Sequence, residues 1–150
     1  MATDKAKYTE AVGRRRTATA RVRLYDVLDK RKAVKYWDYK LSPGVILVDK
    51  KPAADVFPGP VETNILMLPF SVTGTADRYA ATVQVSGSGR KGQLDAVVHG
   101  IARALEKINK EEHRPVLKKH GLLTRDPRMR ERRKAGLAQS ARAKKQSPKR

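Results

Sequence analysis

Residues 87–92 read Gly-Ser-Gly-Arg-Lys-Gly and are the stretch of this sequence whose residue types best suit a binding site. The glycine spacing matches a dinucleotide-binding fingerprint, with a strand-like run before it and a helix-like run after it. Glycines allow a backbone to approach a phosphate closely, and the free amides that begin a helix attract anions. Arg90 and Lys91 add positive charge at the tip. The stretch predicts either a phosphate contact or a tight strand-to-helix turn with solvated charges.

A nucleotide cofactor is not expected at this loop. The dinucleotide fold needs a second parallel strand after the helix, ending in an acidic residue about 20 positions on. Glu111 and Glu112 lie near that distance, but no strand-like run leads to them. A P-loop is excluded because Gly92 is followed by Gln93 and Leu94, not by Lys-Ser or Lys-Thr. An RNA phosphate remains the ligand that fits the loop.

The charge of the whole chain also indicates a polyanionic partner. Its 150 residues carry 34 Lys and Arg against 15 Asp and Glu, a formal net charge of +19. Nucleic acid is the first expectation and an anionic membrane surface the second. There is no cysteine, so disulfides and thiolate zinc sites are excluded. Three scattered histidines without a ligand cluster predict no metal site.

No segment predicts membrane insertion or export. The apolar runs are far shorter than the roughly 20 residues that span a bilayer, and the first 16 residues lack the apolar region of a signal peptide. We therefore expect a cytoplasmic protein.

Hydrophobic periodicity predicts alternating short strands and helices. Thr17–Val27 alternates between apolar residues and a face with Arg21 and Arg23, which predicts a half-buried strand with either a basic or an ordinary solvated outer face. The aromatic cluster within 30–44 predicts either base stacking or a local packing cluster in an extended loop or hairpin. The first half of the chain further predicts a strand at 45–48, one helical turn within 52–60, and a helix within 61–70 that ends before Pro69. Strands at 71–74 and 78–86 and a helix at 94–108 are expected next. Within 111–126, Val116 and Leu117 should be buried and Gly121 should mark the end of a helix.

The composition changes at Asp126. Residues 126–150 contain ten Lys and Arg and two acids, and their only large apolar residues are Met129 and Leu137. Such a stretch cannot bury enough surface to offset its ordering entropy. Asp126, Pro127 and Gly136 nevertheless provide the start and stop signals of a short helix. We expect a globular unit at 1–125 and a basic tail at 126–150 that is mobile alone and ordered on a polyanion.

Several longer motifs together resemble a known family. They are GRRRTATARVRL at 13–24, VSGSGRKGQLDAVVHGIARAL at 85–105, HRPVLKKHGLLTRDPRMRERRKAG at 113–136, and a basic C-terminus ending in Lys-Arg. In this order they resemble the small-subunit ribosomal protein nine family, bacterial type. The chain departs from the family pattern at three places. Its end reads Gln-Ser-Pro-Lys-Arg instead of Gln-Phe-Ser-Lys-Arg, and its loop Gly87–Gly89 reads Gly-Ser-Gly where the family has three glycines. The segment 26–43 is longer than in the family and has no assigned role.

The resemblance implies an α+β fold. It would have a mostly antiparallel sheet, helices on one face, and the left-handed βαβ crossover of the ribosomal-protein-five second-domain-like superfamily. It also implies a structural role in the head of the small ribosomal subunit, bound to the 3′ major domain of its rRNA beside neighbouring ribosomal proteins. The tail would reach the peptidyl-site tRNA through Lys149 and Arg150.

The residues expected to contact rRNA are basic and lie in the motifs or the tail. An enzyme is not expected, because Asp95 and His99, one helical turn apart, are better explained by a packed histidine. A DNA-binding module is disfavoured because the best helix uses its apolar face for the core. The expected rRNA contacts are Arg14, Arg15, Arg16, Arg21, Arg90, Lys91, Lys118, Lys119, Arg125, Arg128, Arg130, Arg132, Arg133, Lys134, Arg142, Lys144 and Lys145.

Overall fold

The computed structural model describes residues 7–27, 35–36 and 39–146. Seven strands and four helices occur in this part of the chain. In chain order they are β1 (Tyr8–Arg15), β2 (Ala18–Asp26), β3 (Lys35–Tyr36), β4 (Tyr39–Lys40), β5 (Ile46–Val48), β6 (Lys51–Pro52), α1 (Ala53–Val56), α2 (Pro60–Thr73), β7 (Tyr79–Ser86), α3 (Arg90–Ile108) and α4 (Lys110–Lys119).

The main sheet is mixed and has the strand order β1-β2-β7-β5-β6. The pairs β1–β2, β2–β7 and β5–β6 are antiparallel, and β5 runs parallel to β7. The α+β class is therefore confirmed. The parallel pair is joined through β6, α1 and α2, and the left-handed sense expected for this crossover stays a prediction. Strands β3 and β4 form a separate hairpin, in agreement with the hairpin expected for this stretch.

All four helices contribute to a core against one face of the sheet. The alternation expected for β2 is confirmed, since Ala18, Ala20, Val22 and Leu24 are buried in that core. Successive side chains of a strand point to opposite faces, so these apolar residues pack against the helices while Arg21 and Arg23 lie on the other face of the sheet. The largest helical contributions come from Phe57 of the α1 end, Phe70 of α2, Ile101 and Leu105 of α3, and Leu117 of α4.

Strand β1 and helix α3 approach so closely that only glycine fits between them. A Cβ atom on Gly13 would lie 1.9 Å from the Ala96 carbonyl oxygen and 2.3 Å from the Gly100 amide nitrogen. A Cβ atom on Gly100 would lie 2.6 Å from Val22 Cγ2. The close packing thus offsets the cost of a glycine inside α3, which is about 1 kcal/mol relative to alanine. This contact fixes the position of α3 on the sheet.

Helix α2 differs from its prediction. It continues through Pro69 to Thr73 and ends at Gly74, whose φ of 65° is left-handed, so the strand predicted at 71–74 is wrong. Proline removes one hydrogen bond of the helix, but Leu66, Pro69 and Phe70 are buried together. Their burial in the core stabilises the turn that Pro69 would otherwise weaken.

Helix α4 also shows where periodicity was misleading. Leu117 is fully buried as expected, but Val116 is 37% exposed, so its predicted burial is wrong. Adjacent residues of a helix point about 100° apart, and only Leu117 faces α2 and α3. Gly121 has a φ of 69° and follows the helix end, which confirms the predicted stop.

The described tail, Asp126–Gln146, contains no helix. The segment offers no apolar face that could pack on the body, and the short helix indicated by Asp126, Pro127 and Gly136 stays a prediction for the tail bound to a polyanion. The Asp126 carboxylate instead accepts hydrogen bonds from Arg128 two residues on. Turns around Gly136 follow, where φ is 79°.

Candidate nucleic-acid interface

Three segments far apart in sequence meet at one end of the sheet. They are the β1–β2 turn (Arg14–Thr17), the glycine loop (Gly87–Lys91) and the tail base (Arg125–Arg128), and we call this region the basic junction. A Cβ atom on Gly87 would lie 2.4 Å from the Thr17 carbonyl oxygen, so the loop rests directly on the turn. The Arg125 guanidinium donates to the Arg16 carbonyl at 3.4 Å. Residues predicted separately thus form one surface.

Arg15 holds the junction together from inside. Only 12% of its side chain is exposed, and its guanidinium lies 3.4 Å from the Asp95 carboxylate and 3.1 Å from that of Asp126. It also donates to the Arg128 carbonyl at 2.6 Å. Although Arg15 is among the expected rRNA contacts, the structure uses it to join β1, α3 and the tail base.

Asp126 is the acidic centre of the tail base. Two nitrogens of the Arg128 guanidinium bind its two oxygens, at 3.0 Å and 2.7 Å. These hydrogen bonds, with the Arg128 amide and the charge of Arg15, hold the pKa of the Asp126 carboxyl well below its usual range. The same pair raises the pKa of Arg128. Asp126 is therefore ionised, and it orients Arg128 across the junction.

His99 of α3 connects β1 with the turn that follows α4. Its Nδ1 accepts from the Arg14 amide at 3.2 Å, and its Nε2 lies 3.3 Å from the Leu123 carbonyl. Burial lowers the pKa of His99 below its ordinary 6.5. A neutral ring that accepts at Nδ1 and donates from Nε2 satisfies both contacts. The packed histidine expected from the sequence is confirmed.

The three glycines of residues 87–92 have different structural roles. Gly87 (φ 78°) packs on Thr17, and a Cβ on Gly92 would lie 2.7 Å from Ser88 Oγ. Gly89, the residue before α3, has no atom within 4 Å of its Cβ position. Two glycines therefore serve the turn itself, and Gly89 leaves its backbone open toward solvent.

The start of α3 favours an anion. Its first turn has no acidic residue and no capping side chain, in contrast to the first turns of α2 and α4, which hold Glu62 and Glu111. Amides at a helix start carry partial positive charge, and here Arg90 and Lys91 are exposed beside them. Glu62 approaches Arg90 at 3.4 Å, a loose and exposed contact. The loop can thus accept a phosphate at Gly89.

Exposed cations surround the junction. Arg14, Arg16, Arg90, Lys91, Arg125 and Arg128 are all exposed there, and each is among the expected contacts. Lys118 and Lys119 are exposed in the last turn of α4. A guanidinium can bind a phosphate through two parallel hydrogen bonds, which suits this arrangement.

Arg21 lies elsewhere. It sits on the sheet face opposite the helices, where its Nε donates to Glu10 at 2.8 Å while Arg23 donates to the other Glu10 oxygen at 2.9 Å. Hydrogen bonds from Arg21, then Arg23, lower the pKa of Glu10. Of the two interpretations of this face, a strongly basic surface is weakened by the acid between the arginines. The sequence offered no signal for Glu10 as their partner, since strand register decides it.

The tail beyond the junction closes on itself. Glu131 binds the Arg142 guanidinium, the Lys134 amide donates to the Ser140 carbonyl at 3.0 Å, and Arg133 donates to the Gln139 side chain at 3.3 Å. This tail loop, residues 131–142, borders a wide open cleft of about 570 Å³. The basic side chains exposed along it and beyond it are Arg130, Arg132, Arg133, Lys134, Arg142, Lys144 and Lys145. Lys149 and Arg150 lie outside the described residues.

The described residues contain neither a metal-binding cluster nor a membrane-spanning helix. No group of three or more His, Cys, Asp or Glu side chains there could hold a metal ion. Within the same residues, no helix is long and apolar enough to cross a membrane.

This chain is similar to known ribosomal proteins of one family. The family described as ribosomal protein S9/S16 matches residues 13–150. Similar curated proteins are named small ribosomal subunit protein uS9. The one from Dehalococcoides mccartyi is 41% identical over 140 residues, which is 93% of this chain and 94% of the relative. Those from Lawsonia intracellularis (40% over 144 residues, 96% and 98%) and Leifsonia xyli subsp. xyli (38% over 133 residues, 89% and 70%) are comparable.

Proposed function

Because the chain belongs to the ribosomal protein S9/S16 family, we propose that it is a structural, non-enzymatic component of the small ribosomal subunit that binds rRNA. The names of its relatives place those proteins in the small subunit. A formal charge of +19 is consistent with permanent residence on RNA. The protein would act in translation by shaping and holding RNA, not by chemistry of its own.

The observation that carries the RNA-binding proposal is the basic junction. Exposed arginines of the β1–β2 turn, the start of α3 and the tail base belong to this junction, as does the open backbone of Gly89. We infer that an RNA phosphate lies at the start of α3, with Arg90 and Lys91 beside it and Arg16 and Arg125 on neighbouring phosphates. Arg15 would act as a positioning residue, since its guanidinium is bound to Asp95 and Asp126.

The finer placement rests on the family resemblance. We propose that the globular unit, residues 1–125, binds the 3′ major domain of the rRNA in the subunit head. The tail, residues 126–150, would become ordered between RNA strands and carry Lys149 and Arg150 to the peptidyl-site tRNA. The high positive charge of the tail supports this course. The crossover between β5 and β7 would be left-handed, as in the superfamily that the sequence resembles.

The first test is sedimentation of a lysate through a sucrose gradient after a high-salt wash. The chain should migrate with the small subunit, because many simultaneous phosphate contacts and burial among RNA strands resist salt. Release into the top fractions would show a loosely bound basic protein and overturn the structural role.

A second test separates the junction from the tail end. Alanine at Arg90 and Lys91 should weaken binding to an rRNA fragment. The slope of the logarithm of the binding constant against the logarithm of salt concentration should become shallower by about 0.7–0.9 per lost contact. Alanine at Arg21, already paired with Glu10, is the matched control and should change binding less.

Removal of Lys149 and Arg150 should spare subunit assembly and weaken tRNA retention in the peptidyl site. A block in assembly would mean that the tail end serves rRNA.

A further inference from the structure

Helix α2 has a second apolar face that the core does not use. Val61, Ile65 and Leu68 are 67%, 37% and 38% exposed, and the half-buried Val72 continues the series. Their spacing of i, i+4, i+7 and i+11 places them in one line along the helix. We call these four residues the α2 stripe. It extends about 16 Å, since each helical residue rises about 1.5 Å.

The stripe is separate from the buried face of the same helix. Leu66, Pro69 and Phe70 face the core, roughly 120° around the helix from the stripe at 100° per residue. Scattered exposed aliphatic residues are normal, whereas a contiguous line of them is typical of a binding surface.

The charge around the stripe argues against RNA as its partner. Residues 52–77, from the end of β6 to the residues after α2, contain no lysine or arginine and carry Asp55, Glu62 and Asp77. This segment has a formal charge of −3 in a chain of +19. Asp55 and Asp77, near the two ends of α2, are exposed. Glu62 is paired with Arg90 of α3, so Asp55 and Asp77 are the acids of this segment that would complement a basic partner.

We propose that the α2 stripe is the surface by which this protein docks onto another protein of the small subunit. The partner segment would insert aliphatic side chains along Val61, Ile65 and Leu68 and bring Lys or Arg toward Asp55 and Asp77. The inference rests on the proposed function, because it assumes residence in the subunit. It divides the molecule into an RNA-binding end at the basic junction and a protein-binding face on α2.

The test compares two lysine substitutions in the same helix. Ile65→Lys places a charge in the stripe, and Thr63→Lys places the same charge at an exposed position on another side. Both add positive charge, so an RNA partner would hold either variant more tightly. A protein partner should reject only Ile65→Lys, lowering its incorporation into small subunits about tenfold against co-expressed wild type. Affinity for an isolated rRNA fragment should be unchanged or slightly increased in both.

A photo-crosslinking residue at Val61, with Thr63 as the control position, identifies what covers the stripe. The expected product from Val61 joins it to a Lys- or Arg-rich peptide of another small-subunit protein. Crosslinks to rRNA or to a second copy of this chain, or equal incorporation of both lysine variants, would overturn the proposal. If wild type does not sediment with the subunit, the proposed function fails, and the crosslink from Val61 still decides the occupant.

Discussion

The folded body and the tail are held by different forces. In the body, close packing of β1 on α3 and a continuous apolar core determine where each element lies. In the described tail, Asp126–Gln146, no residue is buried, and its contacts are turns and ion pairs such as Glu131–Arg142. Exposed ion pairs contribute little to stability, so phosphates can replace them. We therefore expect the body to fold without RNA and the tail to be rearranged when it binds RNA.

The largest effect should come from a methyl group between β1 and α3. Gly13→Ala places a Cβ 1.9 Å from a backbone oxygen of α3, which neither element can avoid without moving. We expect a loss of at least about 3 kcal/mol in the free energy of unfolding, measured by urea denaturation with circular dichroism. Gly89→Ala is the control and should leave the free energy of unfolding nearly unchanged, since its φ is −104° and no atom lies within 4 Å of the new Cβ. Equal stability of Gly13→Ala and wild type would show that β1 does not lie on α3 as described.

Removal of the tail should change RNA affinity but not the free energy of unfolding. Ending the chain at Met129 keeps the tail base but removes nine Lys and Arg and one acid. Unfolding should be unchanged, since no buried residue is lost, while affinity for an rRNA fragment should fall at least about tenfold with a shallower salt dependence. Filter binding at several salt concentrations measures both. An unchanged salt slope would mean that the tail does not contact RNA phosphates.

The packing of α3 against β1 and the turn after α4 should respond to pH through His99. Burial lowers its pKa below 6.5, so the unfolded chain takes up the proton at a higher pH than the folded one. The stability contributed by the neutral ring is complete above about pH 6.5 and is lost as pH falls through the folded-state pKa. Thermal unfolding between pH 7 and pH 5 should show this decline.

His99→Gln serves as the control for that measurement. It removes the titrating ring and should show a smaller decline over the same pH range, although its stability at pH 7 is lower. The same slope in both proteins would assign the decline to other groups.

The smallest effect concerns the one acid inside the tail loop. Hydrogen bonds and charge from Arg142 lower the pKa of Glu131, so the pair is ionised at neutral pH. Glu131→Gln frees Arg142 for a phosphate and should raise rRNA-fragment affinity about two- to fivefold. Glu10→Gln, which frees Arg21 and Arg23 on the far sheet face, should raise it less. A drop in affinity on Glu131→Gln would mean that the closed tail loop is itself the RNA-binding form.

Much of the body was predictable because local patterns and tertiary packing agree there. The alternation of β2, the strand β7, the apolar stripe of α3 and the stop at Gly121 are all confirmed. Predictions were wrong for α2, which continues through Pro69, and for Val116 of α4, which stays exposed beside the buried Leu117. Local sequence signals do not contain the neighbouring helices, and these decide which apolar residues are buried.

The candidate site was predicted as a set of cations but not as an arrangement. Residue type and charge identified Arg15 as a cation, yet its partners Asp95 and Asp126 come from other segments. Glu10 between Arg21 and Arg23 depends on the register of β1 and β2. The expected rRNA and tRNA contacts stay predictions that binding measurements must decide.

The sequence by itself determined the family, the basic character and most element types, because composition, glycine spacing and side-chain periodicity are local properties of the chain. Tertiary structure alone decided which arginines are free, which glycine is open and which face of α2 meets solvent. Those depend on contacts between residues far apart in sequence, such as Arg15 with Asp126 and Gly13 with Gly100. Such contacts form only when the packed core brings the segments together.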